Sequence, residues 1–214
     1  MQIVVLANSV MHGGSCIAGK VLGEKSWIRL KGDCESGITK KEQCLNKENC
    51  DFSCDLCANF LAPKLLNIIE VETINGASSS FYQTENFKFN SSNSWKHIKN
   101  LEIENLYKYL DEPDNIWGDF ERVYSLKLPS NSLYFLEVSK IKLYWEYYEN
   151  LGYCKRKAEI LYNGFSYKLA CTAGEFDVLY YKHGENFFSA YITISLGEIY
   201  KGYAYKLVAG IIEK

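Results

Sequence analysis

The sequence predicts a mainly β protein, built of two small β domains that are joined by a helical segment. Short β-branched or alternating segments recur along the 214 residues, and most are separated by turns that contain Gly or Asn. Several short strands at close spacing are typical of sandwiches and small barrels. A hydrophobic fraction of 47%, an aromatic fraction of 15% and only three Pro exclude disorder over most of the length.

Three strands are predicted in the N-terminal half, at residues 3–7, 26–30 and 65–73. The first is a β-branched run, the second alternates polar with apolar residues, and the third ends at an Asn-Gly pair. Val, Ile and aromatic residues are enriched in strands because their side chains fit a pleated, half-buried surface.

The strongest local signal in the chain is a hairpin in the C-terminal half. Residues 157–162 and 165–171 alternate in polarity on either side of Asn163-Gly164. Asn-Gly favours a two-residue turn because both turn residues must adopt positive φ. Residues 176–181, 187–196 and 203–212 are predicted as three further strands, each separated by a turn that contains Gly.

One segment, residues 101–110, has helical spacing instead. Leu101, Leu106, Tyr109 and Leu110 fall roughly on one helical face, and Pro113 ends the segment. The sequence therefore predicts a helical connection over residues 91–130, between a first β domain at 1–90 and a second at 131–214.

Charge and hydropathy restrict location and partners. The formal net charge is −2, so no strongly basic surface announces a protein that coats DNA, although a local basic groove stays open. The apolar run at the N-terminus is five residues long, and no stretch approaches the roughly 20 apolar residues of a membrane span. A cytoplasmic protein without a membrane partner is predicted.

Five of the eight cysteines lie in one short segment, residues 34–57. In a reducing compartment, clustered cysteines favour a metal over disulfides, since soft thiolates select zinc or an iron–sulfur cluster. The last four, with a Cys-x2-Cys pair at their end, are the predicted ligands: Cys44, Cys50, Cys54 and Cys57. Zinc is the first prediction and an iron–sulfur cluster the alternative, with Cys34 as a reserve ligand. Free or partly buried thiols are the simpler alternative.

Three separated regions, near the N-terminus, in the middle and near the C-terminus, resemble a known family. Residues 5–9 read Val-Leu-Ala-Asn-Ser, and residues 12–20 read His-Gly-Gly-Ser-Cys-Ile-Ala-Gly-Lys. Residues 82–86 read Tyr-Gln-Thr-Glu-Asn, and residues 194–198 read Ile-Ser-Leu-Gly-Glu. In order and spacing these are similar to the dual OB-containing domain family of prokaryotic proteins, over essentially the whole chain. One departure is Cys-Thr-Ala-Gly at 171–174, where such proteins tend to carry an acidic residue.

The resemblance implies two OB-like β-barrels in tandem, with the cysteine-rich segment inserted in the first. It also implies a nucleic-acid- or nucleotide-binding module, associated with prokaryotic defence and acting beside an effector protein. An OB fold binds ligands across its second and third strands. Lys20 and Arg29 are therefore expected to contact phosphate, and Trp27 to offer a stacking surface. Lys206, in an apolar strand, is either a further phosphate contact or an outward-facing position.

Two other classes of function stay open. Cys16, four residues after His12, could form a thiolate–imidazolium pair in an enzyme that acts on nucleic acid or nucleotides, although packing in the core is the simpler reading. A scaffold could instead recognise a protein through an aromatic surface. The run Tyr-Trp-Glu-Tyr-Tyr at 144–148 could stack bases, although an aromatic-covered barrel face or hairpin is the simpler interpretation. No P-loop, dinucleotide-binding glycine motif or metalloprotease motif is present, so no established catalytic constellation is predicted.

Overall fold

The structure is a computed structural model that describes residues 1–11, 14–31, 63–77, 81–89, 95–118, 121–150 and 152–214. The chain divides into two compact units, Met1–Tyr109 and Leu110–Lys214. The predicted connection at 91–130 therefore contributes residues to both units. Among the described residues, no helix has the length and apolar character that a membrane crossing requires.

Among the described residues, seven strands form the sheet of the first unit. They are β1 (Gln2–Met11), β2 (Gly14–Val21), β3 (Trp27–Lys31), β4 (Asn67–Glu70), β5 (Thr73–Ala77), β6 (Asn86–Phe89) and β7 (Lys96–Asn100). Their order is β5-β6-β3-β2-β1-β4-β7, with β3 and β6 parallel. Only two residues separate β4 from β5, so one stretch of chain pairs with β1 at its start and with β6 at its end.

The first core is lined by alternate residues of these strands, including Ile3, Val5, Ile17, Ile28 and Leu30. At Gly19 the first two strands approach so closely that an added Cβ would lie 2.0 Å from the carbonyl oxygen of Val4. The register between β1 and β2 shifts between Val5 and Ala7, beside this position. Glycine is required here by the close approach of the backbones.

The described part of the second unit contains six strands and one α-helix. They are β8 (Arg122–Tyr124), β9 (Leu133–Tyr148), β10 (Tyr153–Tyr162), β11 (Phe165–Cys171), α1 (Phe176–His183), β12 (Phe188–Tyr200) and β13 (Tyr203–Glu213). The order is β11-β10-β9-β12-β13-β8, and β11 also pairs in parallel with β13. That pairing closes a five-stranded barrel, which is the OB-like architecture the resemblance implies. Strand β8 extends the sheet from β13.

The predicted Asn-Gly hairpin is confirmed. Tyr162 pairs with Phe165, and the turn residues Asn163 and Gly164 have φ of 48° and 82°. These values match a turn with positive φ at both central positions, whose twist suits the flanking strands. The predicted strands at 187–196 and 203–212 are also confirmed, as β12 and β13.

The prediction of a strand at 176–181 is wrong, because this segment forms α1. Phe176 and Leu179 are buried, whereas Val178 and Tyr181 are 73% and 93% exposed. This is the i, i+3 spacing of a helix that packs one side against a core. The sequence Phe-Asp-Val-Leu-Tyr-Tyr is rich in strand-favouring residues, and the packing of the helix on the barrel overrides that preference.

The predicted helical segment at 101–110 forms a 3₁₀ helix, Ile103–Tyr109, at the end of the first unit. Leu106 and Tyr109 are buried, as the spacing predicts. In the second unit, Ile116 is fully buried in the barrel core, and its N–H donates to the hydroxyl of Tyr167. The segment between β7 and β8 thus buries Leu106 and Tyr109 in the first unit and Ile116 in the second.

Candidate nucleic-acid interface

Lys20, the first predicted phosphate contact, is fully buried on β2. Its ammonium donates to the carbonyl oxygen of Tyr109 at 2.7 Å and lies 5.0 Å from the centre of the Trp27 ring. The hydroxyl of Tyr109 in turn accepts from the N–H of Gly23. The Lys20 side chain thus anchors the end of the 3₁₀ helix within the first unit.

Arg29 is also buried, and its guanidinium lies 3.2 Å from the carboxylate of Glu85. The N–H of Arg29 donates to the carbonyl oxygen of Glu85, and the amide of Asn86 donates to the side chain of Gln83. The polar residues of the 82–86 motif therefore form a buried network beside β3. Such a network must satisfy its polar groups internally, since an unsatisfied buried group is costly.

Lys206 is 1% exposed on β13. Its ammonium donates to the carbonyl oxygen of Gly118 at 2.7 Å and lies 5.3 Å from the centre of the Tyr167 ring. The structure places Lys20, Arg29 and Lys206 in three separate interior environments. It brings only Lys20 and Trp27 together, and a phosphate contact by any of these residues stays a prediction.

The predicted metal ligands Cys44, Cys50, Cys54 and Cys57, and the reserve ligand Cys34, lie outside the described residues. Within the described ranges, no group of three or more His, Cys, Asp or Glu side chains is arranged to hold a metal ion. Cys16 has intermediate exposure, and its predicted partner His12 also lies outside the described residues.

A surface that combines lysine and tyrosine side chains lies on the second barrel. Side chains of β9, β10 and β11 alternate between the core and the outside of the barrel, and Leu143, Ala158 and Leu169 point to the core. The alternate positions form an outward surface that we call the lysine–tyrosine face. It comprises Lys140, Lys142, Tyr144, Glu146 and Tyr148 of β9, Tyr153, Lys155, Lys157 and Glu159 of β10, and Lys168 of β11.

Five lysines and two glutamates give the lysine–tyrosine face a positive charge, although the whole chain is slightly acidic. Two of the lysines form ion pairs on the face, Lys142 with Glu159 and Lys157 with Glu146, each at 3.3 Å. Within the described part of the chain, the other three lysines form no ion pair with a carboxylate. Their ammonium groups are available to an anionic ligand.

Aromatic rings lie between these charges. The ammonium of Lys155 lies 4.6 Å from the ring centre of Tyr148 and 5.8 Å from that of Tyr153, which is 51% exposed. The hydroxyl of Tyr148 donates to the carboxylate of Glu146, which raises the pKa of Tyr148 and lowers that of Glu146. The hydrogen bond therefore fixes the Tyr148 ring and keeps Glu146 ionised beside Lys157.

The aromatic run at 144–148 is divided between the two sides of β9. Tyr144 and Tyr148 belong to the lysine–tyrosine face, whereas Trp145 and Tyr147 lie on the opposite side. Trp145 packs edge-on against Phe176 of α1, with the ring centres 5.2 Å apart. Part of the run thus packs the helix onto the barrel, and part is exposed on the face.

Sequence reasoning named the aromatic run but missed Lys155 and Lys168. A signal was present for Lys168, which alternates with apolar residues of the predicted Asn-Gly hairpin, whereas Lys155 precedes the predicted strand at 157–162. The sequence-based prediction placed the OB ligand surface on the second and third strands of the first domain alone. The corresponding strands of the second barrel are β10 and β11, which contain these lysines.

Comparison with known proteins agrees with the two-unit fold. The dual OB-containing domain family matches residues 1–211. Comparison with curated proteins finds no match, and comparison with solved structures finds none. The match covers nearly the whole chain and agrees with the closed barrel of the second unit. The chain belongs to the dual OB-containing domain family.

Proposed function

We propose that the chain is a non-enzymatic module that binds nucleic acid or nucleotides through the lysine–tyrosine face of its second barrel. The observation that carries this proposal is the outward side of β10 and β11, where Tyr153 and Lys168 are exposed and Lys155 is half-buried. These are the second and third strands of the five-stranded barrel, and OB folds bind oligonucleotides on those strands.

The chemistry of the face suits a single strand better than a small neutral ligand. Lysine ammonium groups attract phosphates, and exposed tyrosine rings stack on bases irrespective of sequence. The ammonium of Lys155 lies 4.6 Å from the ring centre of Tyr148 and 5.8 Å from that of Tyr153. This residue therefore links the charge of the face to its aromatic surface. A role beside an effector protein in prokaryotic defence rests on the family resemblance alone.

Burial favours the second barrel over the first as the binding unit. Lys20 and Arg29, on the second and third strands of the first barrel, are less than 10% exposed and have partners within the protein. A phosphate could reach them only if those contacts were broken. Lys155 and Lys168 require no such change.

The binding test measures fluorescence anisotropy of labelled dT15 and rU15 over a range of salt concentrations, and free nucleotides as competitors identify a mononucleotide ligand. Affinity should fall as salt rises, because phosphates that bind lysine release their counterions. Replacing Lys155 and Lys168 together by Gln should weaken binding. The slope of log K against log salt should fall by about 0.7 for each phosphate that the variant no longer neutralises.

Lys96→Gln is the matched control, since Lys96 is an exposed lysine on β7 of the first unit. It makes the same change of charge away from the face and should bind as the unaltered protein does. Absence of salt-dependent binding, or an equal effect of the control and the face variants, would contradict the proposal.

The cysteine-rich segment is proposed as a metal loop on the spacing of Cys44, Cys50, Cys54 and Cys57. Metal content and the visible absorption spectrum of anaerobically purified protein test it. About one zinc per chain in a colourless sample supports a zinc site of the kind four thiolates form. A brown sample with iron and sulfide supports the iron–sulfur alternative, and protein without metal contradicts both.

A further inference from the structure

A second exposed aromatic surface lies on other strands of the same barrel. Tyr200 and Tyr203 flank the two-residue turn between β12 and β13, and they pair directly across it. Tyr203 also pairs with Tyr124 of β8, so three tyrosines stand side by side on three adjacent strands. We call these three residues, together with Arg122, the tyrosine row.

The row lies on the outside of the barrel. Val123, Ala204 and Lys206 alternate with its members along β8 and β13, and these three are buried. Tyr124 is 45% exposed and Tyr200 is 61% exposed. Directly paired residues on neighbouring strands lie on one side of a sheet, so the three rings form one continuous surface.

Contacts within the row hold the rings in place. The ring centres of Tyr124 and Tyr203 are 5.5 Å apart, and the guanidinium of Arg122 lies 4.3 Å from the ring centre of Tyr203. Arg122 also donates to the hydroxyl of Tyr205. Hydrogen bonds fix β8 at both ends, from Lys206 N–H to the carbonyl oxygen of Glu121 and from Ser125 N–H to that of Gly202.

The charge of the row differs from that of the lysine–tyrosine face. Its cations are Arg122 and the turn residue Lys201, whose ammonium lies 5.3 Å from the Tyr200 ring centre. The exposed carboxylate of Glu121 lies next to Arg122 in the chain and offsets part of this charge. The row therefore suits ligands that offer flat, polarisable rings more than ligands that offer phosphate alone.

We infer that the tyrosine row is a second nucleic-acid subsite, which stacks unpaired bases while the lysine–tyrosine face holds phosphates. The inference rests on the proposed function and deepens it by specifying the ligand as single-stranded. Tyrosine rings and the guanidinium plane of arginine are the groups on which proteins stack splayed bases. A duplex keeps its bases inside the stack and cannot present them to the row.

The test replaces Tyr124 and Tyr200, singly and together, by Thr, which retains strand preference and removes the ring. Binding of dT15 and of a 15-base-pair duplex is measured by anisotropy at several salt concentrations. Each single change should weaken dT15 binding about tenfold, as expected when one base no longer stacks. The salt slope should stay as in the unaltered protein, and binding of the duplex should not change.

Tyr147→Thr is the matched control, because Tyr147 is also a strand tyrosine with 61% exposure but lies on the side of β9 away from the lysine–tyrosine face. Photocrosslinking of an oligonucleotide that contains 5-iodouracil gives a second readout. The crosslinked peptide should contain Tyr124 or Tyr200.

The outcomes separate the two proposals. Salt-dependent binding that the Lys155 and Lys168 changes weaken, but that the Tyr124 and Tyr200 changes leave at the level of the Tyr147 control, would overturn the row and retain the face. A fall in salt slope on removing the tyrosines would assign the row to phosphate contact and overturn the stacking role. Absence of any binding to dT15, rU15 or duplex would overturn both.

Discussion

Stability should depend on the protonation of one buried carboxyl, that of Glu175 at the start of α1. Burial raises its pKa from the ordinary 4.5 to about 7, and among the described residues one of its oxygens has no hydrogen-bond partner. The folded state therefore holds a proton on Glu175 between pH 4.5 and 7 that the unfolded chain releases. Because the folded pKa is the higher one, the contribution of Glu175 to stability is fully present below pH 4.5 and is lost as pH rises towards 7.

The size of the effect follows from the two pKa values. Each pH unit between them costs the folded state about 1.4 kcal/mol, so the full loss approaches ~3 kcal/mol. Glu175→Gln replaces the carboxyl with a neutral group of the same shape. The variant should match the unaltered protein near pH 4.5 and exceed its free energy of unfolding by about 2–3 kcal/mol at pH 8.

Urea denaturation at pH 4.5, 6 and 8 measures this difference. Glu185→Gln, an exposed carboxyl just beyond α1, is the control, and it should show no such dependence on pH. Other groups titrate in the same range, but they are common to both proteins and cancel in the comparison. Equal destabilisation of Glu175→Gln at all three pH values would refute the inference from burial, and the carboxylate would then be a stabilising cap of the helix.

Three further changes test the packing of the barrels. Gly19→Ala should destabilise the first unit by about 3 kcal/mol in urea denaturation, because the added Cβ would meet backbone atoms. Gly197→Ala is the control: its Cβ would meet the flexible side chain of Leu207 at 3.3 Å, and the change should cost less than about 1 kcal/mol. Lys206→Met should lower the free energy of unfolding by about 1–3 kcal/mol, because it removes the donor to the carbonyl oxygen of Gly118. It should also alter the fluorescence of the adjacent Trp117. The control Lys201→Met should change neither the stability nor the fluorescence. Gly164→Ala should cost about 1 kcal/mol through its positive φ alone, because nothing lies near the added Cβ, and a much larger destabilisation in thermal unfolding would contradict this account of the turn.

Local signals predicted many of the strands, including β1, β3 and β10 to β13, but missed others such as the long β9, and they failed where two patterns overlap. The Asn163-Gly164 hairpin is specified by the conformational demand of its turn, so the prediction needed no knowledge of distant residues. Residues 176–183 contain strand-favouring residues at helical spacing, and only contact with the barrel selects the helix. Long-range packing of this kind cannot be read from a window of eight residues.

The sequence predicted which kinds of residue form the candidate site, but not which individual residues. Lysines, tyrosines and an OB-like face were all expected, but Lys20 and Arg29 are buried, whereas Lys155 is half-buried on the outside of its barrel. All three are basic residues in or beside strands, and sequence alternation does not reveal which sides of a strand are covered. The side chains of Val4 and Leu6 alternate with those of Ile3 and Val5, and all four are fully buried. In such strands both sides face other parts of the protein, and the usual inference that a polar side chain faces solvent does not apply.

A change at Arg29 separates a binding role from a structural one. If Arg29 contacts a phosphate, Arg29→Ala weakens binding and leaves folding nearly intact. The structure instead pairs its guanidinium with Glu85, with both side chains under 10% exposed, and removal of one member leaves a buried charge that costs about 3–5 kcal/mol.

We therefore expect Arg29→Ala to lower the melting temperature sharply and, below the transition, to bind dT15 as tightly as the unaltered protein. Replacing Arg29 and Glu85 together by Met should recover much of the stability, because no unpaired charge remains. Recovery of stability with unchanged binding would assign the pair to the architecture of the first barrel. A stable double variant with weakened binding would return the phosphate contact to Arg29, and the lysine–tyrosine face would then not be the sole binding surface.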